Sequence, residues 1–201
     1  MCVGVWHRRF LAVSWLFTAA CATPHPYFNY AAEPDPRKQE YVLGAADLLR
    51  VTVWHNPDLS GEAIIRPDGT ISLPLVGDLR AAGRTPGQVR EEIAQRLRAF
   101  VKDESAVVTV AVAAINSYRF TVSGNAEHPG TYAANKFLTV TEGVALAGGP
   151  NKFASPEDTV VIRPNPTGGV RRIPIDYPAI LKGTHPEQDL PLLAGDVVYV
   201  P

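Results

Sequence analysis

Turn-forming residues divide this chain into short segments, and that division is the strongest constraint on its fold. The 201 residues include 18 prolines and 16 glycines, which are scattered along the sequence. Because both residues interrupt regular structure, this pattern favours many short strands over long helices. Apolar residues still make up 46% of the chain and charged residues 19%, so a packed core is expected.

Residues 1–20 have the pattern of an export signal. Arg8 and Arg9 precede an uncharged stretch from Phe10 to Ala20, and Cys21 follows. A basic start, an apolar run of this length and small residues at its end are typical of a secretory signal peptide. The run is too short for an ordinary membrane span, which needs about 20 apolar residues.

Cys21 stands where bacterial lipoproteins carry their lipidated cysteine. Thr18 to Cys21 resembles a lipobox, although Thr18 replaces the usual leucine. The other cysteine, Cys2, lies in the signal, so an anchor explains a lone Cys21. Cleavage after Ala22 at an A-x-A site is the alternative. The prolines that follow predict that residues 21–38 form a lipidated, extended tether.

Residues 39–115 predict a first module with the order strand, hairpin, helix, strand. Asp68 and Gly69 form a hairpin signal, since both tolerate the positive φ of tight turns. Pro74 fits the second strand of that hairpin only at a sheet edge, because proline donates no ladder hydrogen bond. Gly77 then allows a sharp turn toward the helix. The edge strand is a plausible contact for a neighbouring subunit.

The helix of this module carries its own start signal. Thr85, Pro86 and Gln88 match a capping box with proline at the first helical position. The pattern predicts a helix from Pro86 to about Phe100, whose apolar face holds Val89, Ile93 and Leu97.

Residues 116–201 predict a second module, a small β-grasp roll around one short helix. A strand ends at Gly124, a second capping box at Thr139 opens the helix, and a last strand follows Asp196. The fold class is therefore α+β. The candidate turn and cap residues of this module are Gly124, Pro129, Gly130, Gly148, Gly149, Gly195 and Asp196.

The sequence offers little support for catalysis. No histidine pair has metal-ligand spacing, and no phosphate-binding glycine loop precedes a helix. Asp68, Asp78 and Asp196 each adjoin glycine, which favours turn formation over acid–base chemistry. We expect no enzyme activity, catalytic residue, cofactor or metal. With a net charge of -1 and no basic cluster, nucleic-acid binding is not expected either.

Several motifs together resemble one family. "RPDGTISLPLVGDL" is similar to the polysaccharide-export domain of Wza-like outer-membrane polysaccharide exporters. "VSGNAEHPGTY", "LTVTEGVALAGG" and "LLAGDVVYVP" resemble the SLBB (soluble-ligand-binding β-grasp) domain that follows it in that family. Longer members carry another β-grasp domain and a C-terminal amphipathic helix, so the chain resembles a short form without them.

This resemblance implies a function in capsular or exopolysaccharide export. The chain would be a ring component of a translocation channel, lipid-anchored at the periplasmic face of the outer membrane. Implied partners are the polysaccharide, further copies of the chain, and an inner-membrane polysaccharide co-polymerase with or without a tyrosine kinase. A separate outer-membrane β-barrel is also expected.

Two other functions remain open at this point. The chain could be a monomeric periplasmic carbohydrate-binding module that forms no conduit, with Tyr118, Tyr132 and Tyr199 stacking on sugar rings. Buried tyrosines are commoner than ligand platforms in small α+β domains. An envelope polysaccharide hydrolase is the third hypothesis, and nothing in the sequence selects it.

Overall fold

The computed structural model describes residues 28–100, 107–165 and 167–201. The predicted signal peptide and Cys21 therefore lie outside the described residues. In the first module the elements follow the order β1 (Leu48–Val53), β2 (Gly61–Ile64), β3 (Thr70–Leu73), β4 (Gly77–Arg80), α1 (Pro86–Leu97) and β5 (Val108–Ala114). The antiparallel sheet β2-β1-β5 and the two-stranded β3-β4 sheet share this module.

Helix α1 packs as its sequence predicts. The Thr85 side chain accepts the Gln88 amide, and the Gln88 side chain accepts the Thr85 amide. Val89, Ile93 and Leu97 are the buried residues of the helix and belong to the core of the first module. The predicted helix and its face are confirmed, although the helix ends at Leu97 and not near Phe100.

The hairpin that contains Pro74 differs from the prediction. Asp68 and Gly69 do form a tight turn, in which the Gly69 amide donates to the Arg66 carbonyl at 2.8 Å. The strand after that turn pairs with β4, however, so Pro74 lies beyond β3 and outside any strand. Leu75 adopts a φ of 60° there, and this compact turn places Gly77 at the start of β4.

The second module is a mixed sheet with two short helices. Its elements follow the order β6 (Arg119–Gly124), β7 (Gly130–Ala133), α2 (Val140–Leu146), β8 (Thr159–Pro164), β9 (Val170–Ile175), α3 (Tyr177–Lys182) and β10 (Val197–Val200). The strand order is β7-β6-β10-β8-β9, with β10 parallel to β6 and antiparallel to β8. This arrangement confirms the α+β class, while strand β7 was predicted only as a turn.

Residues 28–38, which we call the N-terminal strap, pack against the second module. They form two 3-10 turns, Tyr30–Ala32 and Pro36–Lys38. The Tyr30 hydroxyl donates to the Pro174 carbonyl at 2.8 Å, and Phe28 packs with Tyr30 on the core of that module. The prediction of an extended tether is wrong for this stretch, because two aromatic side chains bury apolar surface there.

Candidate functional site

One carboxylate fixes the joint between the two modules. Asp47 directly precedes β1 and is fully buried. Its Oδ1 accepts the amides of Asn116 and Ser117, both at 2.8 Å, in the linker that leads to β6. Its Oδ2 accepts the Tyr41 hydroxyl at 2.6 Å and the Gly44 amide at 2.9 Å. The side chain thus ties the start of the first module to the linker.

The hydrogen bonds also set the ionisation of this joint. Burial opposes a charged Asp47, but donors from Tyr41, Gly44, Ser117 and Asn116 outweigh it and lower the carboxyl pKa. Burial, together with the bond to the Asp47 carboxylate, raises the pKa of Tyr41 to about 12. Asp47 is therefore charged and Tyr41 neutral around neutral pH.

The second module repeats the same turn at Asp196. Leu-Gly-Ala-Ala-Asp-Leu-Leu at 43–49 and Leu-Leu-Ala-Gly-Asp-Val-Val at 192–198 each lead into a strand. Each aspartate accepts the amide three residues earlier, from Gly44 at 2.9 Å and from Leu193 at 2.7 Å. The residue before each aspartate has a positive φ, 74° at Ala46 and 87° at Gly195.

Whereas Asp47 binds the linker between the modules, Asp196 binds a buried arginine. Arg163 Nε lies 3.0 Å from Asp196 Oδ1, and its Nη2 lies 2.7 Å from Oδ2. Nη1 of Arg163 lies 2.8 Å from Glu33, which the strap supplies. Burial disfavours the guanidinium charge, but the bonds to both carboxylates outweigh it and raise the pKa of Arg163. This ion network holds the strap on the second module.

The predicted turn residues of the first module gather around the β3-β4 hairpin. Asp68 accepts the Thr70 amide at 2.9 Å, as expected of a turn aspartate. Asp78 lies within β4 and not in a turn, and it pairs with Arg66 at 3.1 Å. Together with Gly69, Pro74 and Gly77 these residues build a hairpin whose inner face, at Ile71 and Leu79, is buried in the core of the first module and whose outer face is polar.

Most predicted residues of the second module gather where β6 ends. The Glu127 amide donates to the Gly149 carbonyl at 2.9 Å, which joins the turn after β6 to the end of α2. A Cβ on Gly124 would lie 2.1 Å from the Val200 carbonyl oxygen, so the chains approach too closely there for a side chain. Pro129 and Gly148 belong to the same two turns, whereas Gly130, predicted as a turn residue, begins strand β7 and pairs with Val122 of β6. Gly195 instead donates to Arg119, at the start of β6.

The three candidate tyrosines have different environments, and Tyr199 of β10 is 40% exposed. Tyr118 is 3% exposed; its hydroxyl donates to the Leu192 carbonyl at 3.2 Å and accepts the Leu138 amide at 3.1 Å. The prediction that Tyr118 stacks on sugar is therefore wrong, since the core covers its ring. Tyr132 is partly exposed and stacks on Phe120 with a centroid separation of 5.9 Å.

Sequence reasoning missed Asp47, Glu33 and Arg163, which carry the two buried networks. The repeated Ala-rich turn before Asp47 and Asp196 is the signal that could have found the two aspartates. Across the described ranges, no cluster of three or more His, Cys, Asp or Glu residues could hold a metal ion. Each helix in the described part of the chain is too short or too polar to cross a lipid bilayer.

Comparison with known proteins places these features in a family. The profile of polysaccharide biosynthesis/export proteins matches residues 35–113, and the SLBB domain profile matches residues 119–176. The EPS I polysaccharide export outer membrane protein EpsA of Ralstonia solanacearum is 29% identical, over 80% of this chain and 47% of the relative.

Two further relatives agree with this assignment. The exopolysaccharide production protein ExoF of Rhizobium meliloti is 39% identical, over 56% of this chain and 29% of its own length. The capsule polysaccharide export outer membrane protein CtrA of Neisseria meningitidis is 26% identical, over 78% of this chain and 42% of its own length. The chain spans less than half the length of these curated relatives. It belongs to the family in which a polysaccharide biosynthesis/export domain is followed by an SLBB domain.

Proposed function

We propose that this protein exports capsular or exopolysaccharide across the periplasm and outer membrane, as one subunit of a homo-oligomeric ring. The observation that carries the proposal is the buried Asp47 joint, which holds an export domain and an SLBB domain in one fixed relation. A ring built from identical two-domain subunits closes only if that relation is the same in every copy.

In this proposal the subunit acts by forming part of the channel wall. No bond of the glycan is made or broken; the stacked domains enclose a polar path through the periplasm. The outer face of α1 suits contact with a hydrated chain, because Arg84, Gln88, Glu92, Gln95 and Arg96 line a broad open depression there. The edges of the three- and five-stranded sheets offer surfaces for neighbouring copies.

We further propose that Cys21 carries the lipid that holds the protein at the periplasmic face of the outer membrane. Two acyl chains suffice for stable anchoring, at about 0.8 kcal/mol per buried methylene. The intact mass of the mature protein tests this directly. A chain that starts at Thr23 without acyl mass would contradict it.

The main experiment combines deletion with electron microscopy. Deleting the gene should abolish surface polysaccharide, and protein extracted from membranes in mild detergent should form rings. Complementation with Asp47→Ala should fail, whereas Asp58→Ala, an exposed acid of the same module, should restore the polysaccharide. Unchanged polysaccharide in the deletion strain would refute the export function.

The oligomeric state separates this proposal from a monomeric carbohydrate-binding module. The buried ring of Tyr118 removes one of the three stacking surfaces on which that alternative relied. Light scattering of the detergent-extracted protein should give a mass well above one chain. Co-purification should recover an inner-membrane polysaccharide co-polymerase and an outer-membrane pore protein. A monomer without these partners would favour the binding module.

A further inference from the structure

Two arginines of the second module oppose each other across a strand pair. Arg163 of β8 and Arg171 of β9 are directly paired in the antiparallel register. Like charges at such positions destabilise a sheet, because their side chains share one face. A single oxygen of Glu33, Oε2, lies 2.8 Å from both guanidinium groups. The strand pair therefore contains a site that requires an anion, and a carboxylate fills it.

The arginine donors are arranged for an incoming ligand. Nε and Nη2 of Arg163 are held by Asp196, and Nη2 also donates to the Pro191 carbonyl at 3.0 Å. Within the described residues, the hydrogen-bond partner of Nη1 is Glu33. The Arg163 side chain is only 3% exposed, whereas Arg171 is 44% exposed. One fixed donor and one adjustable donor thus point at the same position.

The occupant of this site comes from a segment outside the sheet. Glu33 follows a three-residue 3-10 turn, and no strand pairing connects the strap to β9 in the part of the chain described. Glu33 also precedes residue 35, where the match to the export family begins. The two arginines thus belong to the sheet of the second module, while the carboxylate between them belongs to the strap.

We propose that Arg163 and Arg171 form a carboxylate-binding site for an acidic glycan, with Glu33 as its occupant in cis. The choice of a glycan rests on the proposed export function. A uronic acid presents the same planar carboxylate as Glu33, and departure of Tyr30 and Phe28 uncovers apolar surface for the face of a sugar ring.

The strap keeps this site closed to small ligands. A tethered group acts at an effective concentration of roughly millimolar, so a single free uronate competes poorly with Glu33. Removing the Glu33 carboxylate leaves Arg163 still paired with Asp196 and should open the site without leaving that charge unpaired.

Calorimetric titration of the purified full-length protein with hexagalacturonate tests the proposal. Glu33→Ala should bind this acidic hexasaccharide at least tenfold more tightly than the unmodified chain, and neutral maltohexaose should not bind. Adding Arg171→Ala to the Glu33→Ala protein should lower its affinity for the hexasaccharide about tenfold. Arg172→Ala is the matched control, because its side chain lies on the other face of β9.

Each of the following results would overturn the proposal. A folded Glu33→Ala protein that binds no hexagalacturonate would exclude the site. Equal binding of hexaglutamate would exclude the assignment to a glycan. Equal losses of affinity with Arg171→Ala and Arg172→Ala would show that only the overall charge of the surface matters.

A second experiment applies if Glu33→Ala does not fold. Saturating polygalacturonate should then accelerate amide exchange of residues 28–33 in the unmodified chain, and unchanged exchange would overturn the proposal. These measurements need neither rings nor export, so they can fail while the proposed function stands.

Discussion

The Asp47 carboxylate accepts both the backbone amide and the hydroxyl of Ser117, at 2.8 and 3.0 Å. The two residues are 70 positions apart, one before the first strand and the other in the linker to the second module. Neither module contains the whole network, so the joint forms only when the segment before β1 and the linker are both in place. This buried side chain therefore holds the two modules together, as does Tyr41, whose hydroxyl also bonds to Ser117 and whose ring packs against Phe137.

Replacing Asp47 with alanine should therefore destabilise the protein strongly. The substitution leaves the amides of Gly44, Asn116 and Ser117 without their acceptor, and each orphaned buried group costs about 1–3 kcal/mol. We expect a loss of at least about 3 kcal/mol in urea unfolding. The exposed control Asp58→Ala should change stability by less than about 0.5 kcal/mol. Equal losses in the two variants would show that the network contributes nothing.

The same carboxylate should make stability depend on pH in the acid range. The pKa of Asp47 is lowered in the folded protein, so its contribution is fully present above the unfolded value of about 3.9. That contribution is lost as pH falls through the lower folded pKa. Thermal melts between pH 6 and 2 should show a shallower pH dependence for Asp47→Asn than for the unmodified chain. Identical slopes would assign the acid sensitivity to other groups.

In the two related turns, exchanging alanine and glycine should change stability in opposite directions. Ala46 holds a φ of 74°, which costs a non-glycine residue about 1–2 kcal/mol, while glycine loses about 0.4–1 kcal/mol through the unfolded chain. Ala46→Gly should thus raise the unfolding free energy by about 0.5 kcal/mol. Gly195→Ala should lower it by a similar amount, because its new Cβ would meet only Pro164 at 3.6 Å. Denaturant titrations that give both changes the same sign would contradict this reasoning.

Structural features formed by residues close together in the sequence were predicted, whereas contacts between distant residues were not. The capping boxes at Thr85 and Thr139 were identified because donor and acceptor lie three residues apart. The packing of residues 28–38 was missed, since the partners of Tyr30 and Glu33 lie 144 and 130 residues away. Proline content and the absence of periodicity predicted a tether there, and tertiary contacts with two aromatic rings overrode it.

In the candidate site, too, local turns were predicted and long-range contacts were missed. Asp196 was identified as a turn residue, and its turn is present, but its burial against Arg163 depends on the pairing of β8 with β10. Strand β7 was missed because only its pairing with β6 distinguishes Gly130–Ala133 from a loop. Burial of Tyr118 likewise follows from Leu138 and Leu192, which approach it from distant parts of the chain.

Helix α1 provides a direct test of the core of the first module. Leu97 is 3% exposed and packs with Val89 and Ile93. Leu97→Ala should lower the unfolding free energy by about 2–5 kcal/mol, through lost apolar burial and the cavity that remains. Gln95→Ala, an exposed position on the same helix, is the control and should have little effect. A stability unchanged by Leu97→Ala would mean that the helix end does not pack in solution.

Two glycines of the second module separate crowding from backbone strain. Gly124 and Gly149 have nearly the same φ, 84° and 85°, so alanine pays a similar conformational cost of about 1–2 kcal/mol at each. A Cβ at Gly149 would meet nothing within 4 Å, whereas one at Gly124 would lie 2.1 Å from the backbone oxygen of Val200. That oxygen also accepts the Asn125 amide at 2.7 Å, so it cannot withdraw without loss of a hydrogen bond. Gly124→Ala should therefore cost several kcal/mol more than Gly149→Ala in denaturant titrations and should leave little folded protein at 37 °C. Similar stability of the two variants would show that β6 and β10 can separate locally at this end of the sheet.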